Sequence, residues 1–503
     1  MILDTQMILS GLHLLFSPEN FFFICLGLFV GIIAGALPGV SAATGLVVLL
    51  PLTYTLESSV AINMLMAVYC GAMFGGSIPA ILIKTPGTPG AAATTFDGYP
   101  MTQKGQSFKA LITAVVASVF GGYFSAVVLF FFGPFLSYYA VKFGPAEIVL
   151  ISIFGLTVLG SVGAEDVVKG LMAGAFGLLL GTIGMEYNIG FERFSFNLYT
   201  LYDGIPLITA LVGLLAFSET INLVQRESIL KDTKFLEELQ KADMAAIRRE
   251  VRDVLRHPVD LFRASIIGTI IGSIPGEGAA VANFVSYDQA RRYSKQPKLF
   301  GTGIVQGIIA TEASNNAVTG GACIPTFTLG IPGSSSTAIL LGVLMIHGLQ
   351  PGPGLFHRSG NLMYAILISL FITNGLLLFS GIFCARYFAK VIQIPTRLLV
   401  PVISILMGVG CYLLRNNVND ILLMLIFGLL GYYMHRRGYP PVATVVGLIL
   451  SPIAEKNAIA ALAISQGSLA IFFQSAIAIG LWGLIVLSIV IPLLMKKGQA
   501  AEH

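Results

Sequence analysis

The sequence predicts an all-α polytopic membrane protein with about 11–12 transmembrane helices plus re-entrant or broken helices, arranged as two inverted structural repeats. Three observations predict it. The 503 residues are 55% apolar and only 11% charged, with a mean hydropathy of +0.85, a balance that excludes a soluble enzyme. Apolar runs near the roughly 20 residues needed to cross about 30 Å of hydrocarbon recur along the chain. A paired Pro-Gly pattern occurs in the first half and again in the second. A membrane β-barrel is excluded, because it requires segments of alternating polarity and stretches such as residues 126–132 show none. The net charge of +4 is too small and too scattered for a nucleic-acid partner. The five cysteines form no C-x-x-C pair and sit in apolar runs, which suits core packing. The N-terminus has no basic n-region and Asp4 is its first charge, so the initial segment is expected to be retained.

Taken in order, apolar spans are expected near 59–83, 108–133, 137–161, 167–187 and 203–224, then 302–326, 361–385, 398–414, 419–434, 439–453 and 468–494. Residues 225–263 carry nine basic and eight acidic side chains with a helical pattern around Phe235–Leu239, and read as a charged cytoplasmic linker. This divides the chain into a first membrane repeat (1–224), the linker (225–263), and a second repeat with an extra C-terminal helix (264–503).

The repeat rests on two ordered blocks. Gly35-Ala-Leu-Pro38-Gly39 recurs as Gly272-Ser-Ile-Pro275-Gly276, with Gly31 matched by Gly268; Ile78-Pro79…Pro86-Gly87 recurs as Ile324-Pro325…Pro332-Gly333. Basic residues follow the positive-inside rule. Arg256 and Arg263 flank the second Pro-Gly on one side and Arg291, Arg292, Lys295 and Lys298 on the other, so a hairpin broken at Pro275-Gly276 is expected there, with both ends on the basic face. Glu19 and Glu57 flank the first Pro-Gly and suit the opposite face. Mere helix kinks are the blander reading of these pairs.

The chemistry-bearing residues cluster at the breaks. Glu312, with Asn315 and Asn316 three and four residues on, lies in an apolar span where a carboxylate needs partners. These three are candidate ligands for a coupling ion, Na+ or a proton, while a structural hydrogen-bond network is the alternative. No other cofactor is indicated. Helix N-termini attract anions, so the breaks define a candidate substrate site: Pro38 and Gly39; Lys84, Thr85, Pro86, Gly87 and Thr88; Pro275 and Gly276; Pro332, Gly333, Ser334 and Ser335. Snorkelling to the interface is the alternative for Lys84. Glu277 could line the same cavity. His347 and His357 lack metal-ligand spacing, and no nucleophile elbow or P-loop occurs, so no catalytic residues are assigned. An anion channel, or a membrane-embedded enzyme or scaffold, stays open beside a carrier.

These motifs resemble the large membrane subunit of the tripartite tricarboxylate transporters, the TctA family. The resemblance spans about residues 20 to 470 and is carried by Gly35-x-x-Pro38-Gly39, Thr85-Pro86-Gly87-Thr88-Pro89, Thr94-Thr95-Phe96-Asp97-Gly98-Tyr99-Pro100, Pro275-Gly276-Glu277-Gly278, Glu312-Ala-Ser-Asn315-Asn316, Leu329-Gly330-Ile331-Pro332-Gly333 and Gly348-Leu349-Gln350-Pro351-Gly352-Pro353. It implies a bacterial inner-membrane importer of organic carboxylates, driven by an ion gradient, with a small membrane subunit and a periplasmic substrate-binding protein as partners. The chain departs from the family pattern at Lys84, where asparagine is usual, at Thr311, where proline is usual, and after Asn457, where arginines are often seen.

Overall fold

The computed structural model describes residues 5–162, 166–186, 190–224, 244–276, 278–391 and 394–501. Glu277 and linker residues 225–243 lie outside them. The first half comprises α1 (Thr5–Leu15), α2 (Pro18–Ala36), α3 (Ala42–Thr53), α4 (Ser58–Gly75), α5 (Ser77–Ile83), α6 (Thr95–Gln103), α7 (Ser107–Ala140), α8 (Pro145–Val162), α9 (Val167–Leu180) and α10 (Leu207–Val224). Between α9 and α10 a minimal antiparallel hairpin pairs β1 (Gly184–Met185) with β2 (Glu192–Arg193), in the register Gly184↔Arg193 and Met185↔Glu192. Arg193 binds Glu455 through two parallel bonds of 2.6 and 3.1 Å.

The second half continues with α11 (Met244–Leu255), α12 (Pro258–Gly272), α13 (Gly278–Tyr293), α14 (Val305–Leu329), α15 (Ser335–Ile346), α16 (Gly360–Val391), α17 (Thr396–Arg415), α18 (Val418–Arg436), α19 (Pro441–Ile464) and α20 (Ala476–Ala501). Among the described residues, eight helices are long and apolar enough to cross a membrane, and five shorter apolar helices accompany them. The protein is an all-α, multi-pass membrane protein.

Several spans differ in extent from those expected. Helix α7 runs unbroken through Pro134 to Ala140, so the next helix starts only at Pro145. Helix α9 stops at Leu180, before the Gly181–Gly184 stretch. Helix α19 carries Pro452 internally and extends to Ile464. Ser475 accepts the Ala478 amide and starts α20 late. Helix α12 begins at Pro258, where proline suits the first helical position.

Helix ends follow local chemistry. Ser17 caps α2 by accepting the Asn20 amide, with Pro18 at the first position. Helix α2 ends because Leu37 precedes Pro38, and the residue before a proline is pushed out of the α region; Leu37 is extended at φ −88°, ψ 113°. Ser41 then caps α3.

At the centre stand α4 and α14, each buried around almost its whole circumference. Helix α4 packs on α2 and α14 on α12, by contacts that repeat at the sequence offsets. A Cβ on Gly31 would lie 2.3 Å from the Val68 carbonyl oxygen; one on Gly268 would lie 2.3 Å from that of Ser314. Gly35 meets Ala72, and Gly272 meets Val318, in the same way. The partners on α2 and α12 are 237 positions apart and those on α4 and α14 are 246 apart, which matches the two sequence blocks. The equivalent helices run in opposite directions. Thr102 donates to the Ile81 carbonyl near the end of α5, and Lys104 donates to the Thr302 carbonyl just before α14, at 2.8 and 2.6 Å. The end of α4–α5 therefore abuts the start of α14, and the halves are inverted.

Lys109 at the start of α7 bridges Asp253 and Glu250 of α11 at 2.7 and 3.4 Å, which seats this part of the charged segment against the start of α7. Because a Cβ at Gly31 would overlap a backbone carbonyl, Gly31→Val is expected to cost about 1–3 kcal/mol through overpacking. A thermal unfolding midpoint of the purified protein that falls for this variant, but not for Gly480→Ala, where nothing lies within 4 Å, checks it.

Candidate functional site

Each half breaks its central helix with the same backbone device. In the first, α5 ends where Lys84 turns left-handed (φ 57°) and returns its amide to the Pro79 carbonyl; Thr85 follows to the same acceptor at 3.3 Å. In the second, α14 ends where Gly330 turns left-handed (φ 73°) onto the Pro325 carbonyl, and Ile331 follows at 3.3 Å. Left-handed backbone suits glycine and strains a branched or long side chain, so Lys84 occupies the costlier version of the same corner. Lys84 is exposed, its ammonium lies 6.0 Å from the Tyr99 ring centroid, and no carboxylate among the described residues pairs with it. A cation at the C-terminus of α5 is favoured by the helix dipole.

Within each half the two breaks meet. Gly87 donates to the Gly76 carbonyl at 3.0 Å, and a Cβ on Gly87 would overlap the Gly35 carbonyl, which holds Thr85, Pro86 and Gly87 against the end of α2 that leads into Pro38 and Gly39. In the other half the Gly276 amide donates to the Gly333 carbonyl at 3.1 Å, joining Pro275 and Gly276 to Pro332 and Gly333. Ser334 caps α15 in a reciprocal box with Thr337. The amides of Ser335 and Ser336 belong to the first turn, where no intrahelical acceptor exists, and Ser334 and Ser335 are half-buried.

Glu312 is fully buried on α14. Its carboxylate accepts the Thr94 hydroxyl at 2.5 Å and the Ser118 hydroxyl at 3.2 Å, so two elements of the first half hold an acid of the second. Asn315 turns toward α4 and donates to the Met73 carbonyl at 3.0 Å. Asn316 turns toward α7 and α16, donating to the Ser118 carbonyl at 2.9 Å and to Asn374 at 3.0 Å. Glu312 and Asn316 are thus linked through Ser118, while Asn315 faces the first break.

Three contributors were given no role in the sequence reading. Tyr69 reaches across the halves, its hydroxyl 3.3 Å from that of Ser334. Asp97, in the Thr-Thr-Phe-Asp-Gly-Tyr-Pro stretch, is buried and accepts the Tyr287 hydroxyl and the amides of Gly301, Gly303 and Ile304 at 2.7–3.0 Å, fastening α6 to the start of α14. Glu219 accepts the Ser41 hydroxyl and, at 2.8 Å, the Thr44 hydroxyl, so a carboxylate of α10 sits at the N-terminus of α3. A signal for Glu219 was available: it is the sole formal charge in the 207–224 span, and an intramembrane acid is a functional candidate by default. A six-residue π-helical stretch, Val212–Phe217, ends two residues before it; such turns are rare and concentrate at functional sites.

A multi-pass α-helical protein whose inverted halves each interrupt a central helix, beside a buried carboxylate, is built as transporters are. A sequence model of the Tripartite tricarboxylate transporter TctA family matches residues 21–446. The chain is 33% identical over 484 residues to an uncharacterized 52.8 kDa protein in the TAR-I ttuC' 3' region of Agrobacterium vitis, covering 96% of this chain and 95% of that one. It is also 34% identical over 227 residues to an uncharacterized protein in the TAR-II ttuC' 3' region of the same organism, covering 45% of this chain and 94% of that one. No solved structure matches. The chain belongs to the tripartite tricarboxylate transporter TctA family, and is a membrane-embedded transporter subunit.

Proposed function

We propose that this chain is the carrier subunit of a secondary active importer of organic di- or tricarboxylates. It works in a bacterial inner membrane with a small membrane subunit and a periplasmic substrate-binding protein, and its ion gradient is read at Glu312. The observation that carries this reading is the convergence of the breaks. Gly87 lies against the approach to Pro38, Gly276 bonds Gly333, and Tyr69 of α4 joins Ser334 across the halves, while Asn315, one helical turn on from Glu312, bonds Met73 of α4. First-turn amides at Ser335 and Ser336 offer a substrate carboxylate direct donors and the positive end of a helix dipole. Membership of the tripartite tricarboxylate transporter family supports a tripartite assembly and a tricarboxylate substrate.

The test is counterflow in proteoliposomes with the partner proteins supplied. A carrier preloaded with unlabelled citrate exchanges labelled citrate across the bilayer, whereas conductance without exchange points to a channel. Ser335→Asp places a negative charge among the first-turn amides and is expected to raise KM at least about tenfold, since a dipole–charge contact in a partly buried site is worth up to ~2 kcal/mol. An unchanged KM removes Ser335 from the substrate site.

A further inference from the structure

Internal symmetry isolates one pair of oxygens that the protein leaves without partners. Tyr69 on α4 and Asn315 on α14 stand 246 positions apart, as do Thr88 and Ser334, which follow the two breaks. At one corner the pair is closed: the Tyr69 hydroxyl lies within hydrogen-bond distance of the Ser334 hydroxyl, at 3.3 Å. At the mirror corner it is open. Asn315 spends its amide N–H on the Met73 carbonyl, and both Asn315 Oδ1 and Thr88 Oγ1 are buried with no hydrogen-bond partner. Asn315 is 0% exposed and Thr88 is 3% exposed. Each oxygen lies close against a glycine that only the absence of a side chain allows, since a Cβ on Gly90 would fall 2.3 Å from Asn315 Oδ1 and a Cβ on Gly76 would fall 2.3 Å from Thr88 Oγ1. Two buried acceptor oxygens left open cost free energy.

We propose that Thr88 Oγ1 and Asn315 Oδ1 are ligands of a monovalent cation of the Na+ type, seated between the last turn of α4 and the 88–90 turn. Hydroxyl and amide oxygens are hard ligands suited to such an ion, and among the described residues Glu312 is the one acid within a helical turn of Asn315, too little negative charge for the several carboxylates that a calcium site gathers. Glu312 lies one helical turn before Asn315 and balances the ion's charge. The ion ties the first break to the second half in the place where Tyr69 ties the second break to the first. The proposal deepens the coupling-ion reading of Glu312 and rests on it, but replaces Asn316, which faces α7 and α16, with Thr88.

The test is thermal unfolding of the purified full-length chain in detergent, titrated with NaCl against N-methyl-D-glucamine chloride at constant ionic strength. The wild type is expected to gain a Na+-specific rise in midpoint. Thr88→Val, nearly the same shape, and Gly90→Ala, which intrudes on Asn315 Oδ1, are expected to raise the half-saturating Na+ concentration at least tenfold. Tyr69→Phe, which removes the mirror contact, is expected to keep it within twofold. No Na+-specific rise in the wild type, a normal Na+ response in Thr88→Val, or an equal loss in Tyr69→Phe overturns the proposal. The readout contains no transport step, so a chain that binds Na+ yet moves no carboxylate would refute the proposed function and leave this site standing.

Discussion

Glu312→Gln is expected to abolish gradient-driven accumulation of substrate, while the protein still folds and still binds substrate. Glutamine keeps an acceptor for the Thr94 or Ser118 hydroxyl but carries no charge to balance a cation and no site for a proton. Coupling between sites is typically worth 1–3 kcal/mol, so the ratio of gradient-driven to gradient-free uptake should fall by roughly 5–150-fold. The measurement is labelled citrate uptake into proteoliposomes with and without an imposed Na+ or H+ gradient; wild-type accumulation by the variant removes Glu312 from coupling. Glu312→Leu should behave differently. It removes the carboxylate that accepts two buried hydroxyls, bonds to a charged group being worth about 1.5–3 kcal/mol, and leaves Thr94 only the Thr311 hydroxyl at 3.0 Å, so it should also lower the unfolding midpoint, which separates loss of charge from loss of structure.

The second large effect is structural. Asp97→Ala removes the shared acceptor of the Tyr287 hydroxyl and three consecutive-loop amides, Gly301, Gly303 and Ile304. Hydrogen bonds to a charged group are worth about 1.5–3 kcal/mol, and four donors lose theirs together, so a loss of roughly 3 kcal/mol or more is expected. Asp97→Asn keeps an acceptor and should lose less. Gly307→Ala should imitate the defect, because its Cβ would fall 2.1 Å from Asp97 Oδ2. Thermal unfolding midpoints ordered wild type, Asp97→Asn, Asp97→Ala check this; equal midpoints would show that the loop before α14 holds itself without the carboxylate.

Much of the architecture was legible because it is written in local chemistry. Leu37 leaves the helical region because Pro38 follows it, and α14 stops because Gly330 accepts the left-handed turn; both are properties of a few adjacent residues. The repeat was legible because small residues recur where helices touch backbone to backbone, and Gly31 with Gly268 proved to be such a pair. Helix lengths were less legible. The expected spans 108–133 and 439–453 end short of α7 and α19, which run on past Pro134 to Ala140 and past Pro452 to Ile464, since neighbouring helices in a membrane protein can satisfy the backbone groups a proline frees.

By itself the sequence determined that this chain is a helical membrane protein in two related halves, with breaks at fixed places and an acid within an apolar span, because hydropathy, proline and glycine act within a few residues of where they stand. The tertiary structure alone decided the partners. Thr94 and Ser118 reach Glu312 from more than 190 positions away, Glu219 reaches Ser41 across 178, and Thr88 with Asn315 is left open where Ser334 with Tyr69 is closed. Those pairings depend on how each helix is rotated about its own axis when it packs, where one residue of slip turns a side chain by about 100°, and no local pattern records that angle.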